Sequence, residues 1–323
     1  MNSRIDLKNL FSPFMKENRH LAVENRSVVK ENLHRFTKFS LKTNKKGITM
    51  ENKNILLLRH HPMNVHFTNT FYTSQTENDL SEYTIIDVTS RITRNKEFME
   101  QHPRFAKELS PFYAGPVMSA DGVKAEIFEI FWQCGKVYPC HDNNGKPNSD
   151  YFQWRNYFYS QTECTKDLMR HTCKSIGYEH KDARYFAHYD KVCGEYIPLG
   201  YVDARKKVYF PEYAKLIYNT ESFQYLKSLV DSGKKIALVD FDACNYNERC
   251  AMQKEYAAYL NKCKKEKITP RLTENEFLNI TSLKELVNAP FMKVGHGCVI
   301  KALLQGDLEI VNGEVVDHAG ILL

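Results

Sequence analysis

The chain lacks any apolar run approaching the roughly eighteen residues that cross a bilayer, and its first residues hold no apolar signal-peptide core. The expectation is a protein with no membrane partner that stays in the cytoplasm where it is made. It also lacks any C-x-x-C pair. Its nine cysteines are odd in number and irregularly spaced, which fits reduced cytosolic thiols better than a disulfide framework. Cys164 with His171, Cys173 and His180 comes nearest to a metal site, but its spacing matches no zinc template, so no metal is expected. No internal repeat is visible. What is present, 42% hydrophobic and 12% aromatic residues, is ample for a packed core.

Charge is unevenly placed. Residues 1–50 carry 11 Lys or Arg against 4 Asp or Glu, about +7, so with a formal net charge of +6 overall the remainder is close to neutral. Two readings stand: a basic arm for an acidic partner such as nucleic acid, or a solvated, poorly ordered extension. Residues 151–190 interleave rings (Tyr151, Phe152, Trp154, Tyr157, Phe158, Tyr159) with cations (Arg155, Arg170, Lys174, Lys181, Arg184). Such a mixture either stacks bases and tracks phosphates or forms half-buried helices.

The remaining chain mixes strands and helices without strict βαβ alternation, which predicts an α+β fold, or a loosely wound α/β one, over residues 51–323. Residues 53–60, 83–90 and 234–242 read as strands, the last as the clearest buried one. Helices are expected near 95–108, 221–231 and 248–265. Residues 196–213 read as two short strands around a turn. Thr273 and Ser282 open capping boxes, and Asn312-Gly313 turns a terminal hairpin. Asp240 and Asp242 close a buried strand, where open sheets keep ligand-binding groups; a strand-end aspartate is also a common turn former.

The stretch that poses the functional question is 124–137, KAEIFEIFWQCGKV. Read as one helix, it sets Glu129, Gln133 and Lys136 along one narrow face, with Glu126 at its edge and Trp132 beside it. Ile127, Phe128, Ile130, Phe131 and Cys134 cover nearly all the rest. A helix apolar on almost every side is buried, so its polar stripe either joins an internal ion-pair network or faces a ligand-filled cleft.

This pattern, E-x-x-[YW]-Q-x-x-K, follows Leu109-Ser110-Pro111-Phe112-Tyr113 and the Asp121-Gly122 turn. Together these resemble the core signature of the NADAR superfamily of N-glycosidases. The segment Asp87 to Arg91 and the Y-x-x-A-R-x-x-x-Y-x-P-x-Y pattern of Tyr201 to Tyr213 are similar to a bacterial and phage branch of it. Two departures stand out. Pro111 follows Ser110 where the family usually has asparagine, and Gly295-His296-Gly297 opens a closing segment without the family's asparagine and terminal arginine.

The resemblance implies a NADAR-like single catalytic domain with a basic N-terminal extension, and an N-glycosidase that removes ADP-ribose or a ribosyl phosphate from a nucleobase. No metal or organic cofactor is implied. Glu129 would stabilise an oxocarbenium-like centre or activate water, and Lys136 would hold it ionised or form a Schiff base with the opened ribose. Gln133 would position water or a hydroxyl. Trp132 and Tyr113 would stack on the base, with Ser110 and Asp240 beside the substrate. Arg91 and Arg205 would hold a pyrophosphate or be ordinary surface or structural arginines, and His296 between two glycines would either place a helix end against a phosphate or form an ordinary cap. The carrier implied by the basic and aromatic stretches is nucleic acid with a flipped or single-stranded base. A Lys-, Asn- and Tyr-rich composition, as in AT-rich genomes, extends this to phage counter-defence against ADP-ribosylation of DNA, with host cytoplasm as the setting. The rival readings are a non-catalytic nucleotide- or nucleic-acid-binding protein on the same fold, and a base-modifying enzyme.

Overall fold

The structure, a computed structural model, describes residues 54–59, 79–89, 108–163, 172–246, 248–270 and 272–323, all within one compact unit, Met50–Leu323. The basic extension, and nearly all of the helix expected over 95–108, lie outside the described residues.

In chain order the elements are β1 (Ile55–Arg59), β2 (Tyr83–Asp87), β3 (Val117–Met118), β4 (Lys124–Ala125), α1 (Phe128–Cys134) and β5 (Lys136–Val137). Next come β6 (Asp142–Asn143), β7 (Lys146–Pro147), α2 (Ser149–Tyr159), β8 (Tyr185–Asp190), β9 (Glu195–Leu199) and α3 (Tyr201–Ala204). A π-helical turn, Arg205–Tyr209, joins α3 to α4 (Phe210–Tyr218). The chain ends with α5 (Glu221–Asp231), β10 (Lys235–Asp240), α6 (Arg249–Glu266), α7 (Glu274–Leu278), α8 (Leu283–Asn288), α9 (His296–Gln305) and the hairpin β11 (Leu308–Val311) and β12 (Glu314–Asp317). The fold is mixed α+β.

Its centre is a parallel three-stranded sheet in the order β1-β10-β2. Apart from their end residues, β1 and β10 are apolar because both of their faces are covered. Alternate residues part to opposite sides: Ile55, Leu57, Ile236 and Leu238 join the main core, while Leu56, Leu58, Ala237 and Val239 pack with Leu80 on the other face. Helix α9, buried over most of its length, lies against β1 and β10. A second sheet, β5-β8-β9, is antiparallel.

Two expectations need correction. The stretch 124–137 is not one helix: Lys124–Ala125 pair with β3, Ile127 is extended, and α1 covers only Phe128–Cys134. Tertiary hydrogen bonds compete with the helix here, since Glu126 N–H donates to the Tyr159 carbonyl (3.0 Å), Phe128 N–H to Ala114 (2.8 Å) and Glu129 N–H to Pro111 (2.8 Å). Gly135 then closes α1, because a Cβ at this position would sit 2.1 Å from the Phe186 ring. Likewise, the second strand expected within 196–213 is helical from Tyr201 onward. Buried Ala204 and Val208 repeat at four residues, and Arg205 anchors the turn from within.

The capping boxes at Thr273 and Ser282 and the hairpin at Asn312-Gly313 form as read. Most aromatic residues of α2 are committed to packing, and Tyr157 alone among them is exposed. Tyr151, Phe158 and Tyr159 are buried, Trp154 donates its indole N–H to the Thr172 carbonyl (3.1 Å), and buried Arg155 pairs with Asp121 (2.8 Å). Cys173 is buried, while Cys164 and His171 lie outside the described residues. Among the described residues no helix is long and apolar enough to cross a membrane.

Candidate active site

A cleft of about 410 Å³ opens where α1 faces the carboxyl end of β10 and the start of α9, a volume within the usual range for small-molecule sites. One wall comes from α1. Glu129 and Gln133 stand one turn apart, and Gln133 Nε2–H donates to Glu129 Oε1 (2.7 Å). Lys136 reaches the same line from the first residue of β5, and its Nζ donates to Gln133 Oε1 (2.5 Å). The amide therefore relays between carboxylate and ammonium, donating to one and accepting from the other. All three side chains are half-buried and open onto the cleft.

Burial pushes the Glu129 carboxyl above the usual carboxylate range, against the downward pull of the Gln133 hydrogen bond and of Lys136. Burial also pushes the Lys136 ammonium below the usual lysine range, and Glu129 opposes that shift. An acid raised and a base lowered across one cleft is the pattern expected of groups that exchange protons at moderate pH.

The opposite wall is built from strand ends. Asp240 terminates β10, and buried Asp87, which terminates β2 beside it, lies behind the residues that line the cleft. Asp240 Oδ1 accepts the Phe241 N–H (2.7 Å), and its Oδ2 accepts the Gly297 N–H (3.0 Å) at the start of α9. His296 Nε2–H donates to the Val88 carbonyl (2.5 Å), and its Nδ1 stands 3.4 Å from Asp240 Oδ2. Gly295 and Gly297 make this approach feasible, because a Cβ on Gly295 would lie 2.4 Å from Asp240 Oδ2. The glycines flanking His296 thus admit the Asp240 carboxylate to the helix end, where a phosphate was expected. Burial pushes the Asp87 carboxyl up to about 6, although the Thr89 N–H donates to it (2.9 Å).

Chain segments distant in sequence meet here. Glu129, Gln133, Lys136, Trp132, Asp240 and His296, each expected from the sequence, all line the cleft. Other expected residues lie elsewhere. Arg205 is buried, and its guanidinium donates to the carbonyls of Val287 and Ala289 (3.1 Å each) and of Met292 (2.5 Å). It braces the end of α8 and faces no pyrophosphate. Ser110 is buried as a turn former, accepting the Phe112 N–H (3.3 Å), and Tyr113 is 58% exposed outside the cleft lining. Arg91 lies outside the described residues. Trp132 is a wall more than a stacking platform, since it stacks on Phe186 (5.0 Å) and meets Tyr209 edge-on (4.9 Å).

No family model, curated protein or solved structure matches the chain.

Lining residues not expected in the site from the sequence include Tyr201, Tyr209 and Phe112. Tyr209 sits in the π-helical turn, a device that re-aims side chains and recurs at functional sites. Burial, reinforced by the negative charge of Glu129, holds the Tyr209 phenol well above its usual range and so protonated. Tyr201, 48% exposed, has one ring face covered by the Arg205 guanidinium (4.0 Å). The Y-x-x-A-R-x-x-x-Y spacing carries both tyrosines and was the available signal. Asp242 was legible as a strand-end carboxylate, and it pairs with Lys293 (3.2 Å).

Proposed function

We propose that this cleft hydrolyses an N-glycosidic bond, removing ADP-ribose or a ribosyl phosphate from a nucleobase. The observation that carries this reading is the Glu129–Gln133–Lys136 relay, which opens onto a nucleoside-sized cleft and is not sealed inside protein. In the proposed reaction the bond from C1 of the ribose to the base nitrogen breaks as C1 gains oxocarbenium character. Glu129, ionised beside Lys136, stabilises that centre and takes a proton from the water whose oxygen bonds to C1. The base leaves with the electron pair of the broken bond, and the protonated phenol of Tyr209 supplies a donor for the departing nitrogen or its exocyclic oxygen. Gln133 holds Glu129 in its rotamer, while Asp240 and Asp242 offer acceptors to ribose hydroxyls.

The experiment is incubation with ADP-ribosylated single-stranded DNA, following released ADP-ribose. Release that falls in both Glu129→Gln and Lys136→Ala supports the assignment, and release unchanged in both removes it. A substrate series that includes a free phosphoribosylated base and an ADP-ribosylated duplex distinguishes the carriers. The reading extends to reversal of DNA ADP-ribosylation by a phage-encoded enzyme.

A further inference from the structure

A second cavity of about 420 Å³ shares Trp132, Lys136 and Tyr201 with the cleft, so the two chambers meet at those three side chains. Their chemistry differs sharply. Three carboxylates line the cleft (Glu129, Asp240, Asp242), whereas the described residues lining the annex include no carboxylate and carry Lys136, His180, Lys181 and Arg184. The annex walls between these cations are largely aromatic, with Tyr185, Phe186 and Tyr201. Rings beside cations are the pairing that receives a nucleobase together with its phosphate.

We infer that the annex is a binding site for a phosphate-bearing nucleotide unit, so that the ligand spans both chambers with its scissile sugar in the acidic cleft and its phosphate against Lys181 and Arg184. The inference rests on the hydrolase reading for what the cleft holds, but the anion chemistry of the annex stands on its own lining. Charge polarity across the shared residues gives direction. A phosphate entering the cleft would meet three carboxylates, whereas no carboxylate is among the described residues lining the annex, and Asp142 and Glu179 reach its cations only as ion-pair partners. Arg184 is fixed by Asp142 (2.6 Å), and Lys181 lies 3.2 Å from Glu179. Lys181 and Glu179 are both exposed (73% and 64%), where such a pair is weak enough for a phosphate to share the charge, while Arg184 offers its exposed side (54%) from a firmer pair with Asp142, whose side chain is only 8% exposed. The phosphate has two sources, the diphosphate of an ADP-ribosyl group and the backbone of the strand that carries the modified base.

The test titrates the full chain with ADP and, separately, with a single-stranded thymidine oligonucleotide, comparing wild type with Lys181→Glu/Arg184→Glu. A remote charge reversal on α5, Lys227→Glu, serves as control. The expected result is a loss of about tenfold or more for at least one probe in the double variant, with the control within about twofold. A logarithmic salt slope shallower by about one per phosphate contact removed should accompany it. Loss confined to ADP assigns the annex to the substrate's own diphosphate, and loss confined to the oligonucleotide assigns it to the strand. Because Arg184 holds Asp142, Lys181→Glu/Arg184→Gln and His180→Ala repeat the measurement without a new carboxylate facing Asp142. Binding of neither probe by wild type, or equal binding by wild type and all annex variants, overturns the inference. ADP-ribose release is read separately. Annex-dependent binding without release removes the hydrolase and leaves the annex; release with annex-independent binding does the reverse.

Discussion

The two walls of the cleft hold comparable numbers of ionisable groups and treat them in opposite ways. On the strand-end wall, Asp240 and His296 are bonded to backbone groups of the residue after β10, of α9 and of the residue after β2, which makes them part of the scaffold. On the α1 wall, Glu129 and Lys136 are linked only through one amide, and both open onto the cleft. A group whose lone pairs and protons are satisfied by backbone holds geometry. A half-buried charge held by one side-chain amide retains the capacity to exchange a proton. On the proposed hydrolase reading, α1 carries the chemistry and the strand ends position it.

Glu129→Gln should break this comparison most severely, lowering turnover by about 10²- to 10⁴-fold while leaving the fold intact, as seen in ADP-ribose release against thermal unfolding. Turnover in the wild type should rise with an acid limb above the ordinary glutamate range and fall with an alkaline limb below the ordinary lysine range. Gln133→Ala should carry the acid limb higher still, because the amide's hydrogen bond pulls the Glu129 carboxyl down. An acid limb that stays put in this variant would remove Glu129 as its source.

Asp87 sharpens the other side. Its folded value of about 6 lies above the ordinary 3.8, so the folded state prefers the neutral acid. Its contribution is fully present below about pH 4 and lost as pH rises through about 6. Asp87→Asn should therefore stabilise the protein above pH 6 by roughly 2–3 kcal/mol and flatten its stability between pH 4 and 6. Denaturant melts across that window measure it, and an unchanged slope counts against a strained carboxyl at this strand end. Gly295→Ala should cost about 1–3 kcal/mol through its clash with Asp240 and should depress turnover only through displaced geometry. Tyr113→Ala should be nearly silent, within about 0.5 kcal/mol in stability, because its ring is exposed and lies outside the cleft lining. A large loss of turnover there would return Tyr113 to the site.

Much of the frame was legible from residues alone. Apolar runs marked β1, β2 and β10, paired Thr/Ser and Glu marked two helix starts, and Asn312-Gly313 marked the hairpin, because each of these signals is local. The polar stripe was legible too, though its geometry was not: Lys136 joins Glu129 and Gln133 around a helix-to-strand corner set by the contact of Gly135 with Phe186. The Gly-His-Gly segment was ambiguous for the same reason. A helix end invites any anion, and only the folded chain shows that Asp240, more than fifty residues earlier, occupies it.

By itself, then, the sequence determined where the chain is apolar, where its elements start and which side chains could do acid–base chemistry. Only the tertiary structure decided that Arg205 braces α8, that Tyr209 and Tyr201 enter the cleft, and that an acidic chamber adjoins a basic one. The physical reason is range. Propensity, periodicity and capping act within a turn or two of chain, whereas desolvation, carbonyl bracing and the polarity of a cleft arise only when distant segments exclude water together.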